Sequence, residues 1–134
     1  MSINLNEITY QNVQDIMSTA EYGGITYWAT QPNDAEFDAR PAGKEFTIVE
    51  GVDDYPFGRR QVDEVFYLDA DDIRKAFGAL LDLDQEYVNR RIHGYILSAW
   101  IERDEVDGID CGEIDADAAD AIVQVACFGE LRYG

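Results

Sequence analysis

Basic residues are scarce in this chain. Its 134 residues include 10 Lys and Arg side chains against 28 Asp and Glu, which gives a formal net charge of −18. Binding of duplex DNA or RNA draws most of its affinity from Lys and Arg that displace phosphate counterions, so direct nucleic-acid binding is disfavoured. Anionic membrane surfaces are disfavoured for the same reason. Partners with a positive surface are favoured, since a strongly negative field accelerates their encounter.

Long hydrophobic runs are absent as well. No apolar run approaches the roughly 18–20 residues that span a bilayer. Residues 1–7 contain no basic region followed by an apolar stretch, which is the pattern of a secretory leader. The sequence therefore predicts a cytoplasmic protein with no membrane partner.

Residues typical of metal and nucleophilic chemistry are equally sparse. Cys111 and Cys127 lie 16 positions apart without a nearby histidine, so the spacing of a zinc site is absent. We expect Cys127 to be a small buried side chain and Cys111 to be an ordinary loop thiol. His93 is the only histidine, and neither a Gly-x-Ser-x-Gly turn nor a glycine-rich phosphate loop occurs. The sequence therefore predicts no catalytic residue, no metal site and no cofactor, and it favours a non-enzymatic role.

The chain contains enough apolar residues to form a folded domain. Hydrophobic residues make up 46% of the chain and aromatic residues 12%. This exceeds the low hydrophobicity of disordered chains, and the length fits one domain, residues 1–134. No internal repeat or low-complexity linker interrupts the sequence.

Apolar periodicity predicts four helices. Each begins after a residue whose side chain can cap a helix: Thr9, Asp69, Asp84 and Asp115. The first is predicted over residues 9–21, ending at two glycines, and Gly129 suits the end of the last.

Three runs of β-branched and aromatic residues predict strands at residues 25–30, 46–50 and 62–68. Residues 31–43 are predicted as an exposed loop and residues 53–60 as a turn. Short strands separated by loops with glycine and proline fit an antiparallel sheet better than repeated βαβ units. The predicted fold class is α+β, a small antiparallel sheet of about three strands packed against about four helices in a single domain.

The most biased segment covers residues 102–120, which hold nine carboxylates and one arginine. A calcium loop is one interpretation, because hard cations take several oxygen ligands from one flexible loop. The EF-hand spacing is absent, since a loop that begins at Asp104 has valine at position 3 and glycine at position 5. A solvated acidic loop is therefore favoured over a specific metal site.

Mimicry of a nucleic-acid backbone is another interpretation. Carboxylates two residues apart on an extended chain lie roughly 6.5–7 Å apart, and those three or four apart on a helix have Cβ atoms about 5–6 Å apart. Asp115 and Asp117 fit the first interval if extended, and Asp117 and Asp120 fit the second if helical. Such a surface would bind a basic groove in a salt-sensitive way. The predicted contact residues are Asp104, Glu105, Asp107, Asp110, Glu113, Asp115, Asp117 and Asp120.

Two explanations of the acidic residues need no partner. Asp117 and Asp120 suit the positive end of a helix dipole. The composition, with 17 aspartates, eight arginines and two lysines, also fits a GC-rich genome or a high-salt cytoplasm in which negative charge maintains solubility.

One aromatic residue is predicted as a contact outside the acidic segment. Tyr27 and Trp28 alternate on the first predicted strand, so at least one ring points away from the buried face. Because aromatic residues are enriched at interface hot spots, we assign this contact to Trp28.

Two stretches carry a family resemblance. TAEYGGITYWA at residues 19–29 and ADAIVQVACFGELRYG at residues 119–134 resemble small acidic proteins of uncharacterised function in bacteriophages and mobile elements, particularly of actinobacteria. The resemblance transfers no catalytic residue. It implies a small accessory protein in the host cytoplasm, of a kind for which inhibition of host defence is a common role and DNA mimicry a common method. The implied partner is a basic surface of a nucleic-acid-handling host protein.

Two other functional classes remain open from the sequence. One is a small-molecule or cation-binding protein that uses Tyr27, Trp28 and the acidic segment. The other is a virion or assembly component that forms a homo-oligomer such as a homodimer. In both, the acidic surface would serve solubility.

Overall fold

A three-stranded antiparallel sheet and five α-helices make up the computed structural model, which describes residues 3–134. Met1 and Ser2, which begin the segment used to predict the absence of a leader, lie outside the described residues. The predicted α+β class is confirmed. The elements are α1 (Tyr10–Thr19), β1 (Ala29–Thr30), α2 (Asp34–Asp38), β2 (Phe46–Asp53), β3 (Arg60–Leu68), α3 (Ala70–Leu80), α4 (Arg90–Ile101) and α5 (Ala116–Phe128).

Helix α1 begins where the sequence predicts. The Thr9 hydroxyl accepts a hydrogen bond from the backbone N–H of Asn12, and the Asn12 side chain accepts one from the N–H of Thr9. This reciprocal capping box satisfies two amides that the helix itself leaves unpaired. The helix continues into a π-helical turn, Ala20–Gly24, so the chain stays helical through the two glycines.

The first predicted strand is mostly a turn, which corrects the expectation for residues 25–30. The backbone N–H groups of Trp28 and Ala29 both donate to the carbonyl of Ile25, at 3.0 and 2.9 Å. Only Ala29–Thr30 pairs with β2. Here the local turn prevails over the β-propensity of the side chains, which is a weak preference.

Strands β2 and β3 form a hairpin, and both strands extend further toward the connecting turn than the sequence predicts. They pair in register from Phe46 opposite Leu68 to Asp53 opposite Arg60, with a bulge between Glu50 and Gly51. Strand β1 lies on the other side of β2, so the sheet order is β1-β2-β3. The predicted exposed loop at residues 31–43 contains the short helix α2, which Asn33 caps.

Helix α4 begins later than the sequence predicts. Its N-cap is Asn89, whose side chain accepts from the backbone N–H of Ile92 at 2.9 Å, while Asp84 lies in the turns before it. The predicted caps Asp69 and Asp115 are confirmed, each accepting a backbone N–H three residues on at 2.8 Å.

Helix α5 occupies the centre of the fold. Its apolar residues from Ala118 to Val123 are buried, and it contacts α1, α3, α4 and the π-helical turn. Phe77 of α3 and Ile16 of α1 complete the core around it. Gly129 ends α5, as the sequence predicts, and has a left-handed backbone conformation. No helix within residues 3–134 is long and apolar enough to cross a membrane.

Candidate functional site

The acidic segment follows α4 as an ordered loop and leads into α5. Asp104 and Gly108 exchange two backbone hydrogen bonds, of 2.9 and 3.1 Å, which closes a small turn. A 3-10 helix, Cys111–Glu113, comes next. We call residues 102–113 the acidic loop.

Two carboxylates of the acidic loop stabilise its own turns. Asp104 Oδ1 accepts from the backbone N–H groups of Val106 and Asp107, at 2.9 and 2.6 Å. Asp110 Oδ1 accepts from the N–H of Gly112 at 3.0 Å. Because one oxygen of each side chain is held by the backbone, the position of the charge is fixed.

Asn12 of α1 anchors the acidic loop. This side chain is only 4% exposed, and its Nδ2 donates to the carbonyl of Asp107 while its Oδ1 accepts from the N–H of Ile109. Gly108 between them has a φ of +74° and packs directly against the amide. The loop is therefore fastened to the start of α1. Sequence reasoning missed Asn12, because the sequence contains no signal for a contact across more than 90 positions.

The acidic loop carries its charge without internal compensation. Its one arginine, Arg103, turns away, with Nε 3.3 Å from a carboxylate oxygen of Glu7 and the guanidinium 4.2 Å from the centre of the Trp100 ring. Six loop carboxylates are exposed and form no ion pair within residues 3–134: Glu102, Asp104, Glu105, Asp107, Asp110 and Glu113. In that same part of the chain, no group of three or more His, Cys, Asp or Glu side chains could hold a metal ion.

Asp115 and Asp117 do not form the extended pair of carboxylates that the sequence suggests. Both contact Arg91 of α4, at 3.5 and 2.8 Å, and the other oxygen of Asp115 caps α5. The extended segment on which that interval depends is absent for this pair, because Asp115 is the N-cap of α5 and Asp117 lies in its first turn.

Asp120 and Trp28 are buried, which corrects the expectation that they lie on the contact surface. Their exposed fractions are 8% and 2%. Asp120 accepts hydrogen bonds from the Trp28 indole at 2.8 Å, from the Tyr27 hydroxyl at 2.6 Å and from the Gln124 amide at 2.9 Å. The Trp28 ring stacks on Tyr133, with 5.5 Å between ring centres. The outward ring of the pair is Tyr27, which is 53% exposed.

A second buried carboxylate, Glu50 of β2, was not found by sequence reasoning. The Tyr133 hydroxyl donates to it, and Arg132 lies 3.3 Å away. The hydrogen bond to Glu50 raises the pKa of Tyr133. Glu50 lies within a predicted strand, where a single acid looks like an ordinary surface residue.

Neither thiol has the environment of a nucleophile. Burial raises the pKa of Cys111 to about 11 and that of Cys127 to about 12. Reactive cysteines instead have a lowered pKa beside cations or helix N-termini. Both thiols are free and partly buried, so Cys127 is less buried than expected, and Cys111 begins a 3-10 helix instead of lying in a loop.

No family model, curated protein or solved structure matches this chain. The resemblance to phage and mobile-element proteins therefore stays a prediction. In the fold, its two stretches pack against each other, because Trp28 from the first contacts Asp120 and Tyr133 from the second.

Proposed function

We propose that this chain is a non-enzymatic accessory protein of a phage or mobile element that binds a basic surface of a nucleic-acid-handling host protein. The observation that carries the proposal is the acidic loop, with six exposed carboxylates that form no ion pair with a basic side chain of residues 3–134. A surface built only for solubility does not need fixed charges, whereas here backbone N–H groups hold the carboxylates of Asp104 and Asp110, and Asn12 holds the backbone of the loop.

Fixed charges favour binding for a physical reason. Association costs free energy whenever side chains and loops become ordered at the interface, and a loop that is already ordered avoids part of that cost. The overall charge of −18 adds attraction at long range and speeds the encounter with a positive surface. At contact, Arg side chains of the partner can bind carboxylates in a bidentate way.

The acidic loop extends onto the neighbouring face of α1. A groove of about 370 Å³ lies between the two, and its walls include Asp15, Val106 and Asp107. Asp15 adds a carboxylate to those of the loop, and Val106 is exposed beside them. We infer that this combined face takes the place of nucleic acid on the partner, so that the chain acts as a DNA mimic and as an inhibitor of a host defence system.

The test is capture of the partner from a lysate of an actinobacterial host by the tagged protein, with identification by mass spectrometry. We expect a nucleic-acid-binding protein that is retained in low salt and displaced by added duplex DNA. A variant with four loop carboxylates changed to amides should lose the captured protein by at least about tenfold, and these amides keep the turn-capping oxygens. The changes are Asp104→Asn, Glu105→Gln, Asp107→Asn and Asp110→Asn.

A matched control removes the same number of charges elsewhere on the exposed surface. Its changes are Asp38→Asn, Asp63→Asn, Glu86→Gln and Glu130→Gln. This control should retain the captured protein. Equal loss in both variants would contradict a specific role for the acidic loop, and capture that DNA does not displace would contradict mimicry.

A further inference from the structure

A cleft on another part of the molecule lies beside the start of β2. Its volume is about 340 Å³, and none of its lining residues belongs to residues 102–120. The walls come from the π-helical turn, the chain on either side of β1, α2 and β2 itself. The lining residues used below are Glu21, Ile25, Pro32, Phe37, Glu45 and Thr47.

One wall of the cleft is an unpaired edge of β2. Strand β1 ends with Thr30 opposite Val49. If the same register continued, Pro32 would lie opposite Thr47, and proline has no N–H with which to continue the ladder. Along a strand the hydrogen-bonding groups alternate between the two sides, so Thr47 directs its N–H and C=O to the same side as Val49. These two groups therefore face the cleft rather than β3.

The side chain of Thr47 supplies a third unused group. Its hydroxyl oxygen is buried and has no hydrogen-bond partner among the described residues. Folded proteins leave few buried polar atoms unpaired, and such atoms mark places where a ligand or water completes the structure. A donor or acceptor brought to this edge would lie near both the backbone and the side chain of Thr47.

The remaining walls are apolar and acidic. Ile25 and Phe37 offer apolar surface, and Phe37 is 49% exposed. The charged lining residues are Glu21 and Glu45, with no Lys or Arg among them. Partial burial of its carboxyl raises the pKa of Glu21, which forms no ion pair with any of residues 3–134. Arg40 does not line the cleft; its guanidinium stacks on Phe37, 4.8 Å from the ring centre, and donates to the backbone carbonyl of Glu45 at 3.3 Å.

We propose that this cleft binds a short extended segment of a basic partner protein, which adds as a strand to the edge of β2 at Thr47. The backbone of the segment would pair with the N–H and C=O of Thr47, as in other cases of strand addition. An apolar side chain would pack on Phe37, and a Lys or Arg would lie beside Glu21. A second copy of this chain is a poor occupant, because it also carries a charge of −18.

This inference goes beyond the proposed function, since it concerns a different surface. Its test is a titration of the ¹⁵N-labelled protein, followed by NMR, with the blocked peptide Lys-Val-Lys-Val-Lys at an ionic strength of about 0.15 M. We expect shifts in the backbone amides of Phe46, Thr47 and Ile48. The blocked peptide Glu-Val-Glu-Val-Glu, and the basic peptide with an N-methylated central residue, should each bind at least about tenfold more weakly.

Two pairs of variants separate the contribution of backbone hydrogen bonding to peptide affinity from the contribution of charge. Thr47→Pro removes the edge N–H and should weaken binding about tenfold, while Thr47→Ser keeps both the amide and the hydroxyl and should bind as the parent does. Glu21→Gln should weaken binding about threefold, whereas Glu86→Gln, which removes an equal charge outside the cleft, should leave it unchanged. Should the proline variant not fold, the N-methylated peptide and the glutamate pair still decide the question.

Three results would overturn the proposal. Shifts confined to the acidic loop would indicate general electrostatic attraction. Equal affinity for the acidic peptide would remove the charge argument. Peptide-independent shifts at β2 that grow with protein concentration would identify a second copy as the occupant. None of these results would contradict capture of a partner by the acidic loop, so the two proposals fail separately.

Discussion

The indole N–H of Trp28 donates to the carboxylate of Asp120 across a distance of 2.8 Å, and so joins the turn before β1 to the central helix α5. The same carboxylate also binds Tyr27 and Gln124. A buried carboxylate is tolerated when hydrogen bonds replace its lost water, and three donors do so here. The residues that the sequence presents as two separate contact points are one structural unit.

Removing this carboxylate should destabilise the protein strongly. We expect Asp120→Ala to lower the free energy of unfolding by about 2–4 kcal/mol, because it leaves several buried donors without an acceptor. Urea denaturation followed by tryptophan fluorescence measures the change. Asp117→Ala, which removes an exposed partner of Arg91 on the same helix, should cost less than about 1 kcal/mol. Similar losses for both variants would show that the buried network contributes little.

Asn12 should control the order of the acidic loop. We expect Asn12→Ala to cost about 2–3 kcal/mol, because it removes the N-cap partner of α1 and leaves backbone groups of the loop unpaired. Hydrogen exchange at the amide of Ile109, which donates to the Asn12 side chain, should accelerate. Gln11→Ala, at the neighbouring exposed position, should leave that exchange unchanged. Unchanged exchange in the Asn12 variant would mean that the loop holds its shape without α1.

Gly108 and Gly129 allow backbone and packing effects to be separated. Both have positive φ angles, +74° and +71°. A Cβ at Gly108 would lie 2.1 Å from the Asn12 side-chain oxygen, whereas one at Gly129 would meet nothing within 4 Å. Alanine at Gly129 should cost only the left-handed conformation, about 1–2 kcal/mol. Alanine at Gly108 should cost clearly more in thermal or urea unfolding, and equal costs would contradict the close packing described here.

The two cysteines should make stability fall at alkaline pH. Each has a folded-state pKa, about 11 and about 12, above the unfolded value of a thiol, about 8.5. Unfolding above that unfolded value then releases protons, so the free energy of unfolding should decline as pH rises from about 8.5 to 10. The variant with both Cys111→Ala and Cys127→Ala should show a smaller slope over this interval. A slope equal to that of the parent would assign the effect to other groups.

Local sequence signals predicted the parts of the fold that local interactions decide. Thr9, Asp69 and Asp115 cap helices as expected, because a capping side chain bonds amides only three residues away. Asn89 and Asp84 are both capping residue types, and the choice between them depends on how α4 packs. The residues near the start of α4 do not indicate how this helix packs.

The candidate site was predictable only in part, for a similar reason. The loop carboxylates were found by composition alone, and they are exposed. Asp117, Asp120 and Gln124 repeat along one face of α5, a spacing typical of a solvent-facing stripe. In the fold Tyr27 and Trp28 cover the part of that face at Asp120 and Gln124. Periodicity shows which residues share a face of a helix, but it does not show what covers that face.

The unpaired carboxylates of the acidic loop repel one another, as the charges of a polyelectrolyte do. Folding brings these like charges close together, and their mutual repulsion opposes the compact state. Mobile cations screen that repulsion, so added monovalent salt should strengthen the fold while it weakens any complex with a basic partner. The protein should therefore be most tightly bound under the same ionic conditions in which it is, by itself, least stable.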